Sequence, residues 1–160
     1  MRTVAMWFAE YDASHRHPTN KLLHFICVPA IVLAVLGLLA SIPVPGRAAI
    51  WLNPASVVAL AVLLYYLMLS PQLALGMLLA FAGLGLLVRA LAALPWPLWL
   101  SAGGVFVVAW AGQFIGHAIE GKRPSFFKDL QFLLIGPLWV MADLYRRLGL
   151  AAGSASSAAH

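Results

Sequence analysis

The sequence predicts an all-α integral membrane protein, with about four transmembrane helices, an N-terminal interfacial helix and a short C-terminal helix that does not span. Three observations predict it. Hydrophobic residues make up 63% of the 160-residue chain and charged residues 9%, against roughly 45–50% and about 25% in soluble domains. So few charges would not cover the surface of a soluble fold of this size, whereas lipid requires none. The apolar residues fall into long runs parted by proline-bearing turns, most of them near the roughly 20 residues that cross a bilayer. The polar residues gather into two short clusters, one before the first run and one after the fourth. Length suits a single domain over residues 1–150, with a small, polar, disordered tail over 151–160.

The elements follow in order. Val4, Trp7, Phe8 and Tyr11 recur at helical spacing between Thr3 and Ser14, as in an amphipathic helix lying at the interface. Pro18 disfavours helix at His17 and suits the first turn of a new helix that includes Asn20. Run one extends from Leu22 to about Ala40, with Pro29 inside it as a tolerated kink, and Pro43 and Pro45 end it. Asn53-Pro54 is a cap and first turn for run two, Ala55 to Leu69, which is short for a span. Ser70-Pro71-Gln72 is a tight uncharged turn before run three, Leu73 to Leu94, where Arg89 near the end can snorkel. Pro95 and Pro97 break the chain before run four, Leu98 to Ile115. A polar connector, His117 to Asp129, leads to a fifth apolar segment, Leu130 to Leu144, interrupted by Gly136-Pro137 and too short to span.

The charges set the topology. With a cytoplasmic N-terminus, Arg2, Arg16, Lys21, Lys122, Arg123 and Lys128 lie inside and only Arg47 and Arg89 outside. Keeping Arg146 and Arg147 inside as well requires that the fifth segment does not span, so the positive-inside rule favours four spans plus a re-entrant or interfacial helix. The net charge of +5 reads as basic loops beside an anionic membrane face. Nucleic acid is not an expected partner, since no basic stripe with interleaved aromatics occurs. The N-terminal 21 residues carry charges, histidines and Pro18 and no apolar core, so the first run is expected to stay as a membrane helix. The single cysteine, Cys27, lies in an apolar run as a small hydrophobe.

Four spans bring the stretch before run one and the stretch after run four to the same side, and these hold His15, His17, His24 and His117; His160 is in the tail. A lone interfacial histidine is ordinarily a structural hydrogen-bonding group, but these have companions. Gln113, His117 and Glu120 fall at i, i+4 and i+7 on one helical stripe, with Trp110 extending it inward, and Asn20 and His24 fall at i and i+4. Glu120 would either hold a histidine in its tautomer or pair with Lys122 or Arg123 at the surface. His17 precedes the proline and ranks below His15 as a ligand. Three neutral imidazoles suit iron or zinc, so spacing alone leaves an iron oxygenase and a zinc hydrolase both open. His17, Asn20, Gln113 and Glu120 are each a possible fourth ligand. Motifs of serine hydrolases, zincins, phosphate loops and redox cysteine pairs are missing.

Two stretches carry a resemblance. Tyr11, His15, Asn20, His24 and Pro29 are spaced as in the first signature of the yeast Mpo-type 2-hydroxy fatty acid dioxygenases, and Gln113-Phe-Ile-Gly-His117 with Glu120 and Arg123-Pro124 resembles their second. Leu130 to Asp143, with Gly136-Pro137, is similar to the family's ending. The resemblance implies an Fe(II) enzyme that uses O2 to convert long-chain 2-hydroxy fatty acids to fatty acids one carbon shorter. It implies His15, His24 and His117 as iron ligands, with positions left open for the substrate's carboxylate and 2-hydroxyl and for O2. Glu120, Gln113 and Asn20 then become catalytic candidates, and Lys21, Lys122, Arg123 and Tyr11 substrate-binding candidates, with the acyl tail between runs one and four. The Ala- and Leu-rich composition with short loops suggests a bacterial inner membrane, or the endoplasmic reticulum in a eukaryote, with the metal site on the cytoplasmic side. The rivals are a non-catalytic lipid-binding membrane protein and another metal-dependent lipid enzyme, a hydroxylase or zinc hydrolase. A transporter is disfavoured, because charges are missing from mid-depth and no inverted repeat is visible.

Overall fold

The computed structural model describes residues 2–45, 52–124 and 131–150. The predicted tail, Arg47, Lys128, Asp129 and Leu130 lie outside the described residues. Six helices follow one another: α1 (Val4–Asp12), α2 (Pro18–Ala40), α3 (Pro54–Leu69), α4 (Pro71–Ala92), α5 (Leu98–Glu120) and α6 (Phe132–Arg147). Strands are absent among the described residues.

Prolines and short polar side chains set the helix starts. Pro18, Pro54 and Pro71 each sit in a first turn, where the missing N–H costs nothing. Asn53 and Ser56 form a reciprocal capping box at the start of α3. Ser70 alone joins α3 to α4, ending one helix and capping the next through Leu73 N–H. At the far end of α5 Gly121 takes the left-handed conformation, φ 70°, the usual glycine stop.

Three helices are long and apolar enough to cross a membrane: α2, α4 and α5, of 23, 22 and 23 residues. The fourth predicted span, α3, is apolar but has 16 residues, roughly 24 Å of helix. The helices of runs one, two and three start one to four residues before their apolar stretches, because the proline of the first turn belongs to the helix. Run four continues past Ile115 through His117 to Glu120, so the first four residues of the predicted connector are helical. Gly136-Pro137 does not break the last segment; Pro137 lies inside α6.

The most extensive helix pair is α2 with α5. Small residues allow it. A Cβ added to Gly37 would come within 2.8 Å of Ala102 Cβ, one added to Gly112 within 2.6 Å of Cys27 Sγ, and one added to Gly116 within 2.4 Å of Asn20 Oδ1. Gly112 and Gly116 are a small-xxx-small pair, the spacing that lets membrane helices approach closely. These contacts run the helices antiparallel, so the start of α2 meets the end of α5. The end of α3 and the start of α4 lie at this same end, where Tyr66 Oη donates to Leu134 C=O at 2.6 Å and Tyr145 Oη to Gln72 C=O at 3.2 Å. The predicted apolar stripe of α1 faces protein: Trp7 and Tyr11 are buried with Phe132, Ile135 and Trp139 of α6, and Val4 and Phe8 pack alongside.

Candidate metal centre

The centre is built where the α1–α2 turn meets the last turn of α5. Asp12 to His17 leaves α1 and feeds Pro18, so His15 is presented from a turn while His24 sits in the second turn of α2. His117 comes from the C-terminal turn of α5. All three are buried, His15 and His24 at 1% exposure and His117 at 4%. Each offers a ring nitrogen, and these atoms lie within 4.8 Å of one another.

The tautomers of two rings are legible from geometry. His15 Nδ1 lies 2.6 Å from Tyr11 C=O and His24 Nδ1 lies 2.9 Å from Asn20 C=O. A carbonyl only accepts, so both Nδ1 atoms carry the proton and both Nε2 atoms present a lone pair. Those two Nε2 atoms face each other at 2.9 Å. Two lone pairs at that distance repel unless a cation lies between or beside them. His117 Nδ1 is also buried, with no hydrogen-bond partner among the described residues. This donor set fits a divalent metal held by neutral imidazoles. Burial, and then the neighbouring His24 ring, push the His15 imidazolium down to about 3, which keeps that ring in its ligand form. Burial pushes the Tyr11 phenol above its ordinary value.

Around the rings the packing is aromatic. Tyr11 stacks on His15 with centroids 4.0 Å apart and planes 9° apart, and Trp139 lies 5.3 Å from Tyr11. Trp139 Nε1 donates to Asp12 Oδ1 at 2.8 Å, tying α6 to the end of α1. Gly136 leaves the space for the Tyr11 hydroxyl, since a Cβ there would lie 3.0 Å from Oη.

Glu120 does something the sequence did not foretell. Its Oε1 accepts from Arg16 N–H at 2.9 Å, and its Oε2 accepts from His17 N–H at 2.7 Å and from Asn20 Nδ2 at 3.2 Å. Backbone carbonyls set the tautomers of His15 and His24, and Glu120 instead fixes the turn that carries His15. Lys122 adds a second strap, Nζ donating to Ala13 C=O at 2.7 Å. Asn20 Nδ2 also donates to Ser14 C=O at 3.2 Å. His17 is exposed and its Nδ1 accepts from Thr19 N–H at 3.2 Å, capping α2. Lys21 is half-buried and Arg123 exposed, both at this end of the bundle.

Beside the histidines lies a cavity of about 60 Å³. Tyr11, His15, His24, Gln113 and His117 form its polar end, and aliphatic and aromatic residues of α2, α5 and α6 form the rest. Gln113 is buried and its Nε2 has no hydrogen-bond partner among the described residues, an amide donor left for a guest. The structure thus brings together Tyr11, His15, Asn20, His24, Gln113, His117 and Glu120. The close approach of Asn20 to Gly116 and the contribution of Trp139 are additions, and neither has a signal in the sequence beyond residue type.

Comparison with known proteins agrees with this picture. The sequence model of the family described as 2-hydroxy-palmitic acid dioxygenase Mpo1-like matches residues 1–148. The Saccharomyces cerevisiae protein 2-hydroxy-palmitic acid dioxygenase MPO1 is 31% identical over 146 residues, covering 87% of this chain and 78% of the yeast protein. No solved structure matches. Taken with the histidine cluster and the bundle that assembles it, the match over nearly the whole chain means that this protein belongs to the Mpo1-like family.

Proposed function

We propose that the protein is an Fe(II)-dependent membrane dioxygenase that converts 2-hydroxy fatty acids to the fatty acid one carbon shorter. The observation that carries the reading is the pair of opposed, deprotonated Nε2 atoms of His15 and His24 with His117 beside them. His15, His24 and His117 together offer three neutral imidazoles, a donor set that suits iron and would leave positions for reactants. Bound Fe(II) would supply the redox chemistry by which O2 cleaves the bond between carbons 1 and 2.

The chain's own residues do the rest. His15, His24 and His117 hold the ion. Tyr11, Trp139 and the surrounding apolar walls exclude water. Gln113 turns a free amide donor toward the cavity, where a substrate hydroxyl or carboxylate oxygen would accept it. Glu120 and Asn20 are positioning residues, since their bonds go to the turn that presents His15. Lys21 and Arg123 draw the carboxylate to the membrane surface, while Lys122 is committed to the Ala13 carbonyl. The yeast relative's name specifies a 2-hydroxy-palmitic acid, and a long-chain 2-hydroxy acid already dissolved in the bilayer needs no extraction into water. Arg2, Arg16, Lys21, Lys122, Arg123, Arg146 and Arg147 share the centre's end of the bundle while Arg89 lies toward the other, which supports four spans with the centre on the cytoplasmic side.

The test is anaerobic purification in detergent, metal analysis, then addition of a 2-hydroxy fatty acid and O2. Near-stoichiometric iron and a product one carbon shorter are expected, with both lost in His117→Ala. Stoichiometric zinc without product, or full iron and full activity in His117→Ala, would overturn the assignment.

A further inference from the structure

The cavity continues inward from the histidines as an apolar slot. On α2, His24, Val28, Ile31 and Val32 share one face and extend roughly 12 Å along the helix axis. On α5, His117, Gln113 and Trp110 run beside them, and Leu133 and Pro137 of α6 close the third wall. Both α5 and α6 pack on α2, but they form no substantial pair with each other among the described residues. The slot is therefore a wedge with α2 at its apex and an unpacked seam between α5 and α6. Leu133 on one lip is 44% exposed and Phe114 on the other 48%. Phe106, Trp110 and Phe114 form a row of rings along α5, with successive centroids 6.0 and 5.7 Å apart.

We propose that the seam between α5 and α6 is a lateral port, through which the acyl chain of the substrate runs from the histidine centre into the surrounding lipid. The inference rests on the proposed reaction for the identity of the polar head. The wedge has one polar end and one apolar end, the polarity of a fatty acid. A cavity of about 60 Å³ is smaller than the roughly 150 Å³ that holds a benzene, so a long chain cannot be housed within it. The exit that keeps its methylenes out of water is the seam, whose lips are apolar and face lipid. The site then reads the head and the first methylenes and leaves the remaining chain unmeasured.

The probe is a 2-hydroxy acid with a photoactivatable diazirine in mid-chain, photolysed in the anaerobic, metal-loaded protein in lipid nanodiscs. Adducts are expected on Trp110, Phe114 and Leu133; adducts confined to α3 and α4 would overturn the port. A closed hydrophobic pocket discriminates single methylenes by about tenfold or more, so an open one should show kcat/KM varying less than about threefold between chains of about 10 and about 20 carbons. A sharp optimum at one length would overturn it. Leu133→Trp should lower turnover of long chains about tenfold relative to a chain of about six carbons, by overfilling the lip, with iron content unchanged. Equal loss for both lengths at full iron would count against the port. Adducts on the lips without turnover would leave the port standing and sink the reaction, whereas turnover with adducts elsewhere would sink the port alone.

Discussion

The α2–α5 seam and the α3–α4 hairpin are built from nearly the same apolar alphabet, yet they answer different demands. Where α2 and α5 touch, Gly37, Gly112 and Gly116 each have a neighbour where a Cβ would be, while Gly103 and Gly104 of α5 face open space. In α4, Gly76 is met by Tyr145 and Met141 of α6, but Gly83 and Gly85 have open space, and leucines such as Leu79, Leu86 and Leu87 are more than half exposed. The first pair is protein packed on protein with ligands at its end. The second largely presents side chains to lipid, which is as apolar as they are. A glycine in a membrane helix thus carries meaning only through what lies opposite, and position in the bundle decides it.

Substitutions can break this contrast at several strengths. His24→Ala should reduce bound metal to near zero, because it leaves only His15 and His117, too few to hold the ion, while Leu86→Ala keeps the full complement; metal analysis on both reads the difference. Glu120→Ala should weaken metal binding by about 10–100-fold, the usual effect of losing a group that holds a ligand in place. Competitive chelation measures it, and Glu120→Gln should fall between, since its one carbonyl oxygen can replace only part of the carboxylate. Gly116→Ala should cost about 1–3 kcal/mol by overpacking against Asn20, whereas Gly83→Ala should be neutral or gain up to about 1 kcal/mol from helix propensity. Denaturation in mixed micelles compares them, and equal effects would dissolve the distinction drawn here.

A last effect is on pH. His15 is held at about 3 in the folded protein, below the 6.5 of an unfolded histidine, so between these values the unfolded chain binds more protons. Stability of the metal-free protein should be level above about pH 7 and fall as pH drops below 6.5, by on the order of 2 kcal/mol at pH 5 from this group. A melting curve for His15→Asn that is as pH-dependent as the native protein's would show that the ring is not the origin.

Much of the site was legible because its members repeat with the helix. Gln113, His117 and Glu120 lie on one stripe of α5, and Asn20 lies one turn before His24, so spacing alone placed them together within each segment. That the two segments meet is what an even number of spans would predict, and Glu120 and the histidines join them. The partners of Glu120 were not legible, since they are main-chain N–H groups of Arg16 and His17, and a backbone amide leaves no mark on residue type. The same holds for Lys122, expected at the substrate and found on the Ala13 carbonyl. The continuation of α5 through His117 was half visible: the stripe demanded helix where polarity suggested a loop. Pro137 misled in the opposite sense, because a proline that reads as a break in water is absorbed in a helix surrounded by other helices.

The bonds of Glu120 to Arg16, His17 and Asn20 join residues 104, 103 and 100 positions apart. During synthesis, then, the turn that carries His15 waits for α5 before it is fixed. A ribosome must deliver α5 into the membrane before His117 can complete the centre. An unfinished chain presents only His15, on an untethered turn, and His24, so the three-histidine cluster cannot form until α5 is in place.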